Sequence, residues 1–292
     1  MKSTKRGILC AILAAAFYAL NSPLSKLLLE RVPPTMMAAL LYLGAGTGMA
    51  AMQLIGRRSG LAAGEQRLTR RELPYTVGMV ALDIAAPIAL MIGISKTSAA
   101  NASLLNNFEI VATSLIALLI FREPISRKLW LGIALVTLST LILSAADVSS
   151  LSFSAGSIFV LIACVCWGFE NNCTRMLSAK NPMQIVVIKG IFSGLGSLII
   201  ALVIGEALPD PGAILMALCL GFVAYGLSIA LYIWAQRELG AARTSAYYAV
   251  APFIGVALSL VIFAEVPSAS FVAALLVMVA GTWVVTTADQ AD

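Results

Sequence analysis

The chain of 292 residues is 60% hydrophobic and 11% charged, with a formal net charge of +5 and no histidine, and its mean hydropathy is +0.96. Soluble domains carry roughly one-quarter charged residues, so a water-soluble globule is excluded. The basic residues are scattered between apolar runs rather than gathered in a patch, which argues against nucleic acid as a partner. The five cysteines all lie within apolar runs and show no CxxC spacing. With histidine also absent, no structural disulfide, metal or cofactor is expected.

A helix that crosses a bilayer needs about 20 mostly apolar residues. Reading between charged and proline-marked breaks predicts an all-α integral membrane protein of ten transmembrane helices. The first span, about 8–29, ends in YALNSPLSK, where Tyr18, Asn21, Ser22 and Ser25 form one stripe and Pro23 interrupts the helix. The second, about 35–56, carries Gly46 and Gly48; the third, about 73–95, places Asp83 near the midplane and Pro87 a turn later. The fourth, about 98–121, holds Asn101 and then LLNNFE, in which Asn106, Glu109 and Thr113 share a face and Asn107 points about a quarter-turn away.

The fifth span, about 128–146, has no charge in its interior. The sixth, about 156–178, contains WGFENNCTR, with Trp167, Glu170, Asn171 and Thr174 on one stripe. The seventh, about 182–204, holds Lys189 at nearly the depth of Glu170. Tyr225 lies inside the eighth, about 212–235; Tyr248, Pro252 and Ser245 fall together in the ninth, about 241–263; the tenth is about 268–287.

Most of the 19 basic residues lie in alternate breaks, at the N-terminus, 57–72, 122–128, 175–180 and 237–243. The positive-inside rule then puts both termini in the cytoplasm, and the expected location is a bacterial-type inner (plasma) membrane that the chain crosses many times. Residues 1–19 could be read as a signal peptide, but this segment is echoed further along the chain, which makes it one half of a repeat. At a constant offset, Tyr18 meets Trp167, Asn21 meets Glu170, Ser22 meets Asn171, Ser25 meets Thr174 and Lys26 meets Arg175. At two nearby offsets, Ala99-Ala100 meets Ala241-Ala242, Ser103 meets Ser245, Phe121 meets Phe263 and Glu123 meets Glu265, and Gly46-x-Gly48 meets Gly194-x-Gly196. Two units follow, 1–146 and 147–292. Five spans each is an odd number, so the second unit runs through the membrane inverted, an arrangement recurrent in secondary transporters.

The NSP of the first span, FREP at 121–124 and FAEVP at 263–267 resemble the drug/metabolite transporter superfamily, EamA type, over nearly the whole chain. The chain most resembles its aromatic amino-acid exporter (YddG) branch. That resemblance implies a carrier without a soluble domain, moving amino acids or related small metabolites out of the cell through a central cavity.

Polar groups in lipid are costly, so the two stripes are expected to face protein or a water-filled path, with interhelical hydrogen bonding as the other reading. The candidate path residues are Tyr18, Asn21, Ser22, Asp83, Asn101, Asn106, Glu109, Trp167, Glu170, Asn171, Lys189, Tyr225 and Tyr248. Trp167 either stacks on a substrate ring or packs in the core. Lys189 either pairs with Glu170 or snorkels to the inner headgroups. Asp83 and Glu109 could bind a substrate ammonium, carry a coupling proton or stay protonated as structural hydrogen-bonders. Pro23, Pro87 and Pro252 are candidate hinges.

A rhomboid-type protease needs a Ser–His pair, and an aspartyl intramembrane protease needs two midspan aspartates; neither is present, so no enzyme is expected. A channel would need charge rings or carbonyl filters. The alternative substrate class is hydrophobic cations: a cage dominated by Asp83, Glu109 and Glu170 suits a cation, whereas Lys189 in the cavity suits a carboxylate, and both the choice and the oligomeric state are left open.

Overall fold

The computed structural model describes residues 2–58, 66, 68–121, 126–146, 155–177, 180–239 and 247–288. In lipid every backbone polar group must be bonded within the chain, and the described residues accordingly form helices and short turns. In chain order these are α1 (Lys2–Ala19), α2 (Asn21–Leu28), α3 (Pro34–Arg58), α4 (Leu73–Lys96), α5 (Ala99–Leu105), α6 (Phe108–Phe121), α7 (Arg127–Ala146) and α8 (Ala155–Leu177). They continue with α9 (Pro182–Val203), α10 (Pro211–Gly221), a π-helical turn Phe222–Leu227, α11 (Ser228–Leu239), α12 (Ala251–Phe263) and α13 (Ala269–Ala288). Among the described residues, seven helical segments are long and apolar enough to cross a membrane, and Ala251–Phe263 and Ala269–Val285 are shorter apolar helices. The FREP turn and the echoes at Ala241-Ala242 and Ser245 lie outside the described residues.

Four expected spans are not continuous α-helix; the ninth turns at 249–250, just before α12. The first breaks at Leu20, whose amide takes the tighter bond to the Phe17 carbonyl at 3.3 Å. Pro23 lies three residues on and has no amide to offer the Ala19 carbonyl a turn earlier. The fourth breaks at Asn106-Asn107, between α5 and α6. The eighth widens into the π turn that carries Tyr225. Because of the second break, Asn106 does not continue the face of Glu109 and Thr113 as a single helix would make it. Pro252 occupies the first turn of α12 rather than a helix interior, where its missing amide costs nothing. Pro87 does lie inside a helix, α4.

Helix ends are closed by short polar side chains. Ser98 caps α5 by accepting from the Asn101 amide at 3.1 Å, Asn181 caps α9 through the Gln184 amide at 3.2 Å, and Asp210 caps α10 through the Ala213 amide at 3.0 Å. At its far end α9 stops at Gly205, with φ +77°, and the Glu206 amide folds back to the Ala201 carbonyl at 2.9 Å. That turn presents the Glu206 carboxylate to the amides of Thr35 and Met36, at 3.1 and 2.6 Å, at the start of α3. On α2, Lys26 Nζ donates to the Ile94 and Thr97 carbonyls, both at 2.7 Å, tying the end of the first span to the end of α4.

Packing centres on α3, which lies along α9 and also meets α10 and the π turn. A Cβ on Gly46 would stand 2.5 Å from the Ile191 amide nitrogen, and one on Gly190 would collide with the Gly46 backbone, so this pair lets the two helices touch main chain to main chain. Gly46 therefore faces Gly190, while Gly194 lies against Leu43. The other chief pairings are α4 with α8, α1 with α11, α7 with α13, α5 with α12, α6 with α8 and α1 with α12. Large apolar side chains such as Leu119, Val203, Val261 and Leu276 remain exposed, as a lipid-facing surface requires. Trp130, Trp234 and Trp283 are exposed as well.

Candidate functional site

Two groups of polar side chains lie inside the bundle. The first joins α3, α4, α8 and α9. Lys189 Nζ of α9 stands 3.0 Å from Asp83 Oδ2 on α4 and 3.0 Å from Glu170 Oε1 on α8. The second oxygen of Asp83 accepts from the Tyr42 hydroxyl of α3 at 2.9 Å and from Trp167 Nε1 of α8 at 3.3 Å. Thr174, one turn along α8, donates to Glu170 Oε1. Asp83 and Glu170 are 0% and 1% exposed. An ion in such surroundings must be paired and hydrogen-bonded to be tolerated, and each oxygen of Asp83 is met.

The Glu170–Lys189 pair expected from matching depth is therefore present, with Asp83 as a third member that depth alone did not reveal. Lys189 does not snorkel: its ammonium is held between the two carboxylates. Trp167 is 6% exposed and uses its indole N–H on Asp83. Tyr42 was missed by sequence reasoning. A lone tyrosine in a glycine-rich span reads as packing, and the only signal was a hydroxyl needing a partner at membrane depth.

The second group lies around the breaks in the first and fourth spans. Glu109, in the first turn of α6, accepts from Asn171 Nδ2 of α8 at 2.7 Å, and the same amide reaches Thr113 Oγ1 at 3.3 Å. Asn172 donates across to the Thr113 carbonyl at 3.2 Å. The stripe on α8 is thus divided: Trp167, Glu170 and Thr174 serve the lysine cluster, and Asn171 serves Glu109. Just before the break in the first span, Tyr18 of α1 stands with its ring centroid 5.9 Å from those of both Tyr225 and Tyr248. Tyr42 lies 5.3 Å from Tyr225, and Tyr232 lies 4.9 Å from Tyr248. Asn21 of α2 donates to the Tyr225 hydroxyl at 2.9 Å while accepting from Ser25 at 3.0 Å.

Tyr18, Glu109, Asn171 and Tyr248 all keep part of their surface accessible. Ser22 and Asn106 are buried, and Asn101 is half-buried on α5. The candidate residues therefore split between the two groups. Tyr42 and Tyr225 connect them, since Tyr42 bonds Asp83 and its ring meets that of Tyr225. No group of three or more His, Cys, Asp or Glu side chains able to hold a metal occurs among the described residues.

A charged network and a tyrosine cluster thus lie inside an apolar helical bundle. The model of the EamA-like transporter family matches residues 5–145 and again 154–287. The chain belongs to that family. An uncharacterized transporter of Methanothermobacter thermautotrophicus is 27% identical over 275 residues, covering 89% of this chain and 80% of its own. The uncharacterized transporter YyaM of Bacillus subtilis is 21% identical over 198 residues, 64% of each chain. A crystal structure of a protein 17% identical in sequence superposes with a TM-score of 0.68 over 100% of this chain and 98% of that one, a likeness of fold. This EamA-like protein is thus a multi-pass membrane transporter.

Proposed function

We propose that the chain is a secondary carrier that exports amino acids, aromatic and other neutral ones, and related small metabolites by alternating access. The observations that carry this reading are the partly buried Glu109 bonded by Asn171 and, in the same bundle, a group of tyrosines gathered about Tyr18. A zwitterion offers an ammonium for the carboxylate and a carboxylate for the amide, and an aromatic side chain can lie against tyrosine rings.

Ten spans in two inverted units, 1–146 and 147–292, with both termini cytoplasmic in a bacterial-type inner membrane, form the scaffold of this proposal. Two observations support it. The family model matches the two halves separately. The packing pattern also survives exchange of each span for the one five further on: α3 with α9, α5 with α12 and α7 with α13 map onto themselves, α4 with α8 onto α11 with α1, and α6 with α8 onto α12 with α1. Such pseudo-symmetry lets the two halves trade conformations and move an opening from one face to the other. Pro87, inside α4, and Pro23 and Pro252, in the first turns of α2 and α12, are the positions we assign as hinges.

Hydrophobic cations are a second reading, favoured by one observation: Asp83, Glu109 and Glu170 outnumber Lys189 among the acidic and basic groups gathered here. Counterflow in proteoliposomes loaded with unlabelled amino acids tests the first. Labelled phenylalanine, threonine and methionine should enter saturably and only against internal amino acid. Non-saturating flux would mean a channel, and no flux of any amino acid would transfer the reading to cations.

A further inference from the structure

The Lys189 cluster has an uncharged double elsewhere in the bundle. At the offset that sets Tyr18 against Trp167, Asn21 corresponds to Glu170 and Ser25 to Thr174. At the offset that sets Ser103 against Ser245, Asp83 corresponds to Tyr225; at the one that sets Gly46 against Gly194, Lys189 corresponds to Leu41. The contacts repeat along with the positions. Thr174 donates to Glu170 one turn earlier on α8, and Ser25 donates to Asn21 one turn earlier on α2. Trp167 reaches Asp83, and the ring of Tyr18 meets that of Tyr225. Glu170 is joined to Asp83 through Lys189, whereas Asn21 bonds Tyr225 directly at 2.9 Å. Each contact ties a residue of 1–146 to one of 147–292. One does so with three charges and the other with none.

The two contacts lie toward opposite ends of α4. Lys26, on the same short helix as Asn21, bonds the Ile94 and Thr97 carbonyls where α4 stops. Cys173, between Glu170 and the end of α8, lies against Gly78 near where α4 starts. Arg70, Arg71, Arg175 and Lys180 gather near that start, Lys180 standing 3.4 Å from Glu72, and it is the basic end of the bundle. Depths match as well: Glu170 lies seven residues before Leu177, the last of α8, and Asn21 lies seven before Leu28, the last of α2.

Two equal halves would meet with equal strength at both ends, and neither opening would be favoured. Here, parting them at the basic end separates Asp83 from Lys189 and breaks charge-assisted bonds, which are roughly twice as strong as neutral ones. Parting them at the far end breaks a neutral hydrogen bond and a ring contact. Both contacts are made in this structure, so the weaker one decides which end opens first.

We infer that Asp83, Glu170 and Lys189 form a one-sided latch that keeps the basic end shut at rest, so that the protein opens first at the far end, where Asn21 meets Tyr225. The inference rests on the reading of the chain as a carrier with exchanging halves and deepens it by setting the balance between its two openings. The bias lies in the charges alone, since the remaining contacts recur on both sides.

Paired spin labels in a cysteine-free background, read by pulsed dipolar spectroscopy on the purified full chain without cargo, test this. Corresponding exposed positions are Leu27 with Ala269 at the far end and Met176 with Arg127 at the basic end. The distance distribution of Leu27 with Ala269 should be at least about twofold wider than that of Met176 with Arg127. Replacing the latch with Asp83→Asn, Glu170→Gln and Lys189→Met together should add a longer distance between Met176 and Arg127. Asn21→Ala should leave that pair as in the wild type. Equal widths at the two ends, the greater width at the basic end, or unchanged distances in a folded triple variant each overturns the latch. A cluster that only glues the bundle would give the last result, with a lower Tm. The wild-type comparison stands even where the triple variant fails to fold. Saturable counterflow with equal widths at both ends would sink the latch and leave the carrier reading intact. The expected asymmetry with no counterflow of any solute would do the reverse.

Discussion

The Lys189 cluster and the Glu109 region use the same residue types for opposite ends. Around Lys189 the four helices α3, α4, α8 and α9 converge, the carboxylates are 0% and 1% exposed, and the cation is covalently part of the chain. Glu109 follows directly on the helix break at Asn106-Asn107, the side-chain oxygens of both asparagines are buried without partners, and Glu109 is less completely buried than Asp83 and Glu170. A charge that is sealed and paired by the fold fixes helices in place. A charge left open beside interrupted helices is free to exchange its partner.

The largest effect should come from removing the shared cation. Lys189→Met leaves Asp83 and Glu170 facing each other without compensation, and breaking a buried pair in this way costs about 3–5 kcal/mol. The variant is expected to aggregate or to lose Tm steeply in detergent. Adding Glu170→Gln should restore only part, because Asp83 remains; the triple variant with Asp83→Asn should restore most. Full recovery in the double variant would show that Asp83 contributes nothing to the cluster.

A smaller loss is expected one layer out. The Tyr42 hydroxyl donates to a charged oxygen at 2.9 Å, and such bonds contribute about 1.5–3 kcal/mol. Tyr42→Phe keeps the ring against Tyr225 and removes only that donor, so Tm should fall while the fold persists. No change in Tm would mean that Trp167 alone satisfies this oxygen of Asp83.

What was readable in the sequence follows the same division. Glu170 and Lys189 could be matched because depth in a span can be counted from its ends, and a buried charge demands a partner. Asp83 could not be added, since counting gives depth but not which helices are neighbours. The helix break at Leu20 had a visible sign in Pro23, and the break at Asn106-Asn107 had one in the paired amides. The first was read as an interruption at Pro23, whereas the second was read as part of a continuous helix, because hydropathy does not register a single lost turn. The π turn at Phe222–Leu227 has no compositional mark: its residues are as apolar as those around it. Face assignments that relied on unbroken 3.6-residue periodicity failed there first, at Asn106.

The smallest effect, and the sharpest contrast, belongs to Glu109. Glu109→Gln keeps an acceptor for Asn171 Nδ2 and removes a charge to which the chain supplies no ion pair among the described residues. If the carboxylate is there for an exchangeable partner, its removal should change stability by less than about 1 kcal/mol, or raise it by relieving an uncompensated charge at depth. Measured beside Lys189→Met in the same detergent, the two variants should differ in Tm by far more than either differs from its own repeat. A Glu109→Gln protein as damaged as Lys189→Met would mean that both groups hold the bundle together, and the distinction between a sealed and an open carboxylate would fall.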